Sequence, residues 1–354
     1  MTPQWRDFLA HEGAAFAADT EAVAHFGNPE AERWAAAAGA VLVDLSPLSV
    51  IRAEGPDAQQ FLHAQLTNDI RSLDMRHHLL AAWCNAQGRM LALLRLWRRG
   101  EAFVLLLPAE RREAVLRRLR QFVLRAKVEL DSLDTALARL GVSGPAAAGA
   151  VREAAGFVPE GSDTALTQGE VSVLSLPGPF PRYLLAAPYD RAAALWRRLR
   201  DHGMRPAGFE VWTWLDIQAG LPQVYDATAE SFVPQMVNLD LLGGVSFTKG
   251  CYPGQEIVSR LHHRGGLKQR LYRLHMAEST PRPLPGMPVH SPAQAGQSAG
   301  TVVEATPSPH GGFDLLAVLQ ITAASAGTAL RLAGESGPVL KLDSAAANGG
   351  DQKS

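Results

Sequence analysis

Ser246-Phe247-Thr248-Lys249-Gly250-Cys251-Tyr252-Pro253-Gly254-Gln255-Glu256 is the stretch on which the reading of this chain turns. Pro253 suits the first turn of a helix, where its missing N–H would be unpaired in any case. Gly254 to Leu261 can continue that helix, which predicts Cys251 just ahead of a helix N-terminus. Unpaired N–H groups and the helix dipole there favour an anion, and so a thiolate. Lys249, two residues earlier, adds positive charge, and Gly250 leaves room for a ligand or another backbone to come close. A thiolate so placed is a good nucleophile and a good ligand for soft metals. An isolated cysteine is more often a small buried hydrophobe. The Gly, Pro and Lys around Cys251 turn the reading toward function. Cys84 has no such neighbours; it sits in a strand-like run, Leu79 to Asn85, and reads as core.

Outward from the motif comes a basic run: Arg260, His262, His263, Arg264, Lys268, Arg270 and Arg273, with Gly265-Gly266 inside it. The formal net charge of the chain is -1, so no global basic field draws nucleic acid, and the run is a local feature. It could hold a phosphate, a polyglutamate tail or an RNA backbone, or be an ordinary solvated loop. Cys251 with His262 and His263 matches no metal-ligand spacing. A second Arg-rich segment, Arg111 to Arg125, reads as the solvated face of a helix, with Glu110 and Glu113 near enough to pair. Thr67-Asn68-Asp69, Pro234-Gln235 and Asn238-Leu239-Asp240 read as caps and turns.

A chain of 354 residues is too long for one ordinary core. Two cysteines exclude a disulfide-rich scaffold and a four-cysteine zinc site. No basic segment followed by an apolar core opens the chain, and no apolar run has the length of a membrane helix. The expectation is a cytoplasmic protein with reduced thiols.

The pattern of elements divides the chain. Residues 1–38 read as a helical segment, with Asn28-Pro29 as a helix start. Residues 39–133 form a first α+β unit: strand, helix, a hairpin around Asn85-Ala86-Gln87-Gly88, a further strand, an amphipathic helix with Val115, Leu116, Leu119 and Phe122 on one side, and a closing strand. Residues 134–206 give a weaker second copy, an internal duplication. Residues 207–269 carry a helix, an irregular stretch from 221 to 248 and the cysteine motif, completing the α+β core. Short β-like runs in 270–343 predict a small barrel. The small polar residues 344–354 predict a disordered tail.

Ser246 to Glu256 resembles the signature of the YgfZ family, folate-binding-type proteins related to the glycine-cleavage T-protein. Ala219-Gly220-Leu221-Pro222, Phe232-Val233-Pro234-Gln235, Asn238-Leu239-Asp240, Phe61-Leu62 with Thr67-Asn68-Asp69, and Asn85-Ala86-Gln87-Gly88-Arg89 reinforce the resemblance. It implies a T-protein-like multi-domain α+β ring around a channel that holds tetrahydrofolate, with split β-α-β units and a C-terminal β-barrel. It implies a role in making or maintaining iron–sulfur clusters, with iron–sulfur enzymes or assembly proteins as partners. Support of tRNA thiomethylation by a radical enzyme that carries such clusters follows. The family's key cysteine maps onto Cys251, with Lys249 beside it. Gln218, Asn68, Tyr252, Gln255 and Arg264 are the expected folate-site residues, and Arg260–Arg273 is the expected RNA contact.

The chain also departs from the T-protein pattern. T-proteins place an Asp on the strand after the Gly turn, where this chain reads Gly88-Arg89-Met90-Leu91-Ala92-Leu93-Leu94. They offer a Glu to the pterin just before the Ala-Gly pair, where this chain has Gln218. An amide hydrogen-bonds but supplies no negative charge. The expected function is therefore iron–sulfur maintenance through Cys251, ahead of a tetrahydrofolate-dependent aminomethyltransferase and of a non-catalytic RNA- or protein-binding module.

Overall fold

The structure, a computed structural model, describes residues 1–18, 20–294 and 298–343. The expected tail at 344–354 lies outside the described residues.

Helix α1 (Pro3–His11) starts on Pro3, with the Thr2 hydroxyl accepting from the Trp5 N–H. A two-stranded ribbon, β1 (Ala15–Phe16) and β2 (Val23–His25), follows. Then comes α2 (Pro29–Ala38), capped by the Asn28 side chain on Ala31 N–H at 3.0 Å and ended by Gly39 at φ +94°. Where a helical segment is expected over residues 1–38, two helices stand at the ends with a ribbon between them. Gly13 and Gly27 take left-handed φ values that no helix continues through, and the alanine-rich composition hid that break.

After β3 (Val41–Asp44) the chain runs β4 (Leu48–Glu54), α3 (Ala58–Gln65), β5 (His78–Cys84), β6 (Met90–Arg99), β7 (Ala102–Pro108), α4 (Arg112–Val123) and β8 (Glu129–Ser132). It then runs β9 (Leu137–Ser143), α5 (Ala147–Ala155), β10 (Ala165–Gln168), β11 (Val171–Leu176), β12 (Arg182–Pro188), α6 (Tyr189–Asp201) and β13 (Arg205–Ala207). The two series have the same order of elements. Their sheets also match: β5-β6-β7-β4-β8 in one and β10-β11-β12-β9-β3-β13 in the other, with β3 inserted before the last strand. Helix α4 turns Val115, Leu116 and Leu119 inward. Phe122, expected on that side, is exposed, one residue short of the helix end.

The chain divides into two compact units: Met1–Leu62, Ile70–Leu79 and Leu94–Leu215 in one, and His63–Asp69, Leu80–Leu93 and Asp216–Ser354 in the other. The first has its core under the sheet that holds β9 to β12, where Trp196 meets Trp5 edge-on at 6.2 Å. In the second, the end of α7 (Phe209–Gln218) leads into a stretch whose helical turns, Asp226–Thr228 and Pro234–Val237, are of the short 3-10 kind. Helix α8 (Gln255–Arg264) follows. A closed barrel completes the unit: β14 (Gln269–Met276), β15 (Pro288–His290), β16 (Ser298–Pro307), β17 (Phe313–Gln320), β18 (Leu330–Leu332) and β19 (Val339–Leu342), in the order β14-β17-β16-β15-β18-β19, with α9 (Ile321–Ser325) between β17 and β18. Closure leaves no sheet edge to pair with another chain. Leu274, Val302, Leu315, Ala317 and Leu332 fill its interior.

Candidate functional site around Cys251

Cys251 lies on the loop that enters α8. The helix starts later than the sequence predicts: Pro253 and Gly254 form a turn, and Gln255 is the first helical residue. Gly254 delays it, at φ +80°. A Cβ on Gly254 would come within 2.5 Å of both the Asn85 carbonyl oxygen and Gly88 Cα. A Cβ on Gly88, itself at φ +73°, would meet the Gly254 carbonyl oxygen at 3.1 Å. The two glycines therefore make a joint of backbone on backbone, which any side chain would force open. Asn85 holds its half of the joint. Its Oδ1 accepts from the N–H groups of Gln87 and Arg89, each at 3.0 Å, and its Nδ2 donates to Glu230 at 2.7 Å.

The residues flanking Cys251 are anchored. Lys249 is buried, and its ammonium donates to the carbonyl oxygens of His63 and Leu66, where α3 ends. Cations are favoured at a helix C-terminus, whose last carbonyls lack helical partners. The ammonium also lies 5.0 Å from the centre of the Tyr252 ring. Tyr252 is buried, and its hydroxyl has no hydrogen-bond partner among the described residues. Burial, and then the neighbouring Cys84, push its phenol above its ordinary value. Burial pushes the Cys84 thiol up to about 12, as expected of an inert core cysteine. Cys251, by contrast, is exposed.

A pair that the sequence reading passed over faces this loop. His63 Nδ1 lies 3.1 Å from Asp69 Oδ1. A Cβ placed on Gly250 would lie 3.8 Å from His63 Nε2. The sequence reads Asp69 as part of a turn and does not single out His63. The available signal was a histidine at a helix end with a carboxylate six residues on, both inside a segment matching the cysteine motif's family.

The remaining expected site residues divide by location. Gln255 reaches back to the Lys249 carbonyl at 3.5 Å. Asn68 donates to the carbonyls of Leu80 and Gly243, both at 2.8 Å, so its amide ties strand to loop. Gln218 lines a cavity of about 250 Å³ with Gly220, Asn238, Leu241, Tyr272 and Arg273. Its side-chain amide donates to Asp314 at 3.3 Å, and its backbone carbonyl oxygen accepts from Arg273 at 2.6 Å. Leu93, where T-proteins carry their Asp, is buried in the same core as Cys84 and Val258.

The basic run also splits. Arg270 grips Asp240 through two nitrogens at 2.6 and 3.0 Å, and Arg273 grips Asp343 at 2.8 Å. Both stabilise the fold. Arg260 pairs with Glu256 one turn back on the exposed face of α8. His262 stacks on Phe247 with ring centres 3.7 Å apart, and His263, Arg264 and Lys268 are exposed. No group of three histidine, cysteine or acidic side chains suited to a metal occurs among the described residues.

Residues 7–165 match the family model of the GCVT N-terminal domain. The chain is 36% identical over 271 residues to the tRNA-modifying protein YgfZ of Edwardsiella ictaluri, covering 76% of this chain and 81% of that protein. This chain belongs to the YgfZ family. The YgfZ of Cronobacter sakazakii is 31% identical over 299 residues, 84% of this chain and 89% of the relative. Among solved structures, the glycine cleavage system aminomethyltransferase T from Bartonella henselae superimposes with a TM-score of 0.73, covering 95% of this chain and 94% of that one at 19% identity. That likeness establishes the fold. The expected T-protein-like α+β architecture with split β-α-β units and a C-terminal barrel is the one observed.

Proposed function

We propose that this chain supports the assembly or repair of iron–sulfur clusters through Cys251, and thereby tRNA modification, on a folate-binding scaffold. The observation that carries the reading is the state of Cys251. Its neighbours Lys249, Tyr252 and Gly254 are each pinned, while its own side chain is open to solvent. A loop fixed on both sides of one exposed thiol fits a residue that must meet a partner in a set orientation. Client iron–sulfur enzymes or assembly proteins are the partners this implies. No helix among the described residues is long and apolar enough to cross a membrane. A cytoplasmic location with reduced thiols fits both cysteines standing free.

The test is complementation in cells lacking the protein. Cys251→Ala is expected to restore none of the iron–sulfur enzyme activity that the wild type restores. Full rescue by that variant overturns the reading.

Tetrahydrofolate fits the cavity at Gln218 in part. A volume of about 250 Å³ falls just below the usual range for ligand pockets, ~300–1,000 Å³, and suits a pterin ring more than a whole folate. Gln218 would offer its amide to the ring, and Asn238 borders the same space. When bound, folate would supply a one-carbon carrier. The residues present would hold and orient it without a carboxylate at Leu93 or Gln218, so aminomethyl transfer is not the proposed activity. Clear turnover in a direct assay of methylene transfer to tetrahydrofolate would reverse that ranking.

A second reading, docking of RNA by the exposed end of α8, rests on His263, Arg264 and Lys268. Under it, Arg264→Glu with Lys268→Glu abolishes complementation while Cys251→Ala does not.

A further inference from the structure

A cavity of about 350 Å³ lies at the C-terminal end of α8, beside the start of β14 and Ile321 at the head of α9. We infer that it binds a guanine nucleotide, with the base inside and the phosphate at the mouth. The inference is independent of the role proposed for Cys251. Unlike the cavity at Gln218, this one has a volume within the usual range for ligand pockets, ~300–1,000 Å³.

Its polar lining supplies acceptors. Gln235 borders the cavity and is 2% exposed. Its Nε2 donates to the Val258 carbonyl at 2.6 Å, which fixes the amide and leaves Oε1 as the remaining group. That oxygen is buried and has no hydrogen-bond partner among the described residues. An unpaired buried acceptor is costly, and a ligand N–H would remove the cost. Asp240 borders the same space and is held on the same guanidinium. Arg270 Nη1 donates to the Gln235 backbone carbonyl at 2.9 Å and to Asp240 Oδ1 at 2.6 Å, and Nη2 donates to Asp240 Oδ2 at 3.0 Å. A carboxylate has about four lone-pair sites, so Asp240 can still accept from a ligand.

Guanine answers that pattern. Its N1–H and 2-amino group set adjacent donors on one edge, where adenine sets an acceptor beside its amino group. The walls suit a flat ring. Leu261, Leu267 and Ile321 are apolar, and the His262 imidazole is fixed by stacking on Phe247. At the mouth, Gly265 and Gly266 line the cavity without a side chain. Arg264 and Lys268 flank that stretch in the chain and are exposed. Unlike Arg260 and Arg270, they have no acidic partner among the described residues. Two such cations at the mouth favour a phosphate.

The test is isothermal titration calorimetry of the full chain with GMP, AMP, guanosine, inorganic phosphate and folic acid as separate titrants. GMP is expected to bind, with AMP and guanosine each weaker by about tenfold, since each lacks one part of the match. Inorganic phosphate alone should give no measurable heat. Gln235→Met should weaken GMP by about tenfold. Arg264→Ala with Lys268→Ala should weaken GMP by about tenfold, flatten its salt dependence and leave guanosine as it was. Should Gln235→Met fail to fold, the double variant carries the test with the AMP comparison, since its two exposed side chains lie outside the core. Absence of GMP binding, equal affinity for AMP and GMP, phosphate binding as tight as GMP, or unchanged affinity in the variants overturns the inference. Displacement of GMP by folic acid, whose pterin carries the same donor edge, also overturns it and assigns the cavity to the pterin. Calorimetry needs no cluster and no client, so a failure here is distinct from a failure of the Cys251 reading in complementation.

Discussion

Cys84 closes strand β5 among Ala82, Met90, Leu93 and Val258, and it is 2% exposed. Cys251 stands in solvent on the loop before α8. The two belong to one piece of structure all the same. Asn85 and Gly88, just after Cys84, receive Gly254, just after Cys251, and Tyr252 packs near the Cys84 thiol. Cys84 belongs to the buried footing, and Cys251 is the group presented from it. Both residues offer the same thiol, and they differ in exposure because of how their segments are fastened.

The strongest way to break this contrast is at the joint. Gly254→Ala forces a left-handed conformation on a residue with a Cβ and drives that Cβ into Asn85 and Gly88. The expected loss is about 3 kcal/mol, read from the urea midpoint, with exposure of Cys84 to labelling. Gly250→Ala meets only an ordinary contact with His63 and should cost under about 1 kcal/mol. Equal losses for the two would mean that the joint does not hold the loop.

Lys249→Met comes next. It leaves the His63 and Leu66 carbonyls without their ammonium partner, at a cost of about 2 kcal/mol by the same measurement. The cysteines then sharpen the contrast directly. Cys84→Ala should lose about 1 kcal/mol and still complement, whereas Cys251→Ala should hold its stability within about 0.5 kcal/mol and fail to complement. Tyr252→Phe removes a buried hydroxyl that has no partner among the described residues and should leave stability unchanged or raise it by up to about 1 kcal/mol.

The last expected effect is one of pH. His78 is buried, with Nε2 on the Ser175 carbonyl at 2.8 Å and Nδ1 facing Arg95 at 3.1 Å. Burial, then Arg95, lower it from 6.5 to about 3. The unfolded chain therefore takes up this proton first, so stability is full above about pH 6.5 and falls as the pH drops toward 3. Thermal melts across that window should show the decline, and His78→Gln should flatten it.

How far the sequence could be read depended on the kind of interaction involved. The repeat was legible because alternating strands and amphipathic helices carry their periods in the chain, as in Val115, Leu116 and Leu119. The barrel was legible through short apolar runs set off by Gly and Pro. The ribbon inside residues 1–38 was not, because alanine suits a helix without excluding a turn. Cys251 stands before α8, but the helix begins at Gln255 rather than at Pro253, and the setting of its neighbours was not legible. Lys249 was expected to turn its charge toward the thiol and instead holds carbonyls of a segment more than 180 residues earlier. His63 and Asp69 were passed over for the same reason: nothing local to either residue says that Gly250 will arrive beside the ring. The basic run was read as a single patch, yet Arg270 and Arg273 are engaged with Asp240 and Asp343, partners that only the folded chain brings near.

The joint between Gly254 and Gly88 has a further consequence for how this protein tolerates change. Main chain meets main chain there, so surface residues on either side can drift without moving the thiol, and only the two glycines are exposed to substitution. Insertions and deletions are another matter. A single residue gained or lost between Cys251 and Gly254, or within Asn85 to Gly88, would shift the exposed thiol by a full peptide length. The protein should therefore be permissive of altered spelling and strict about spacing, and a scan of one-residue insertions along both segments would map the boundary of the device more sharply than any set of point variants.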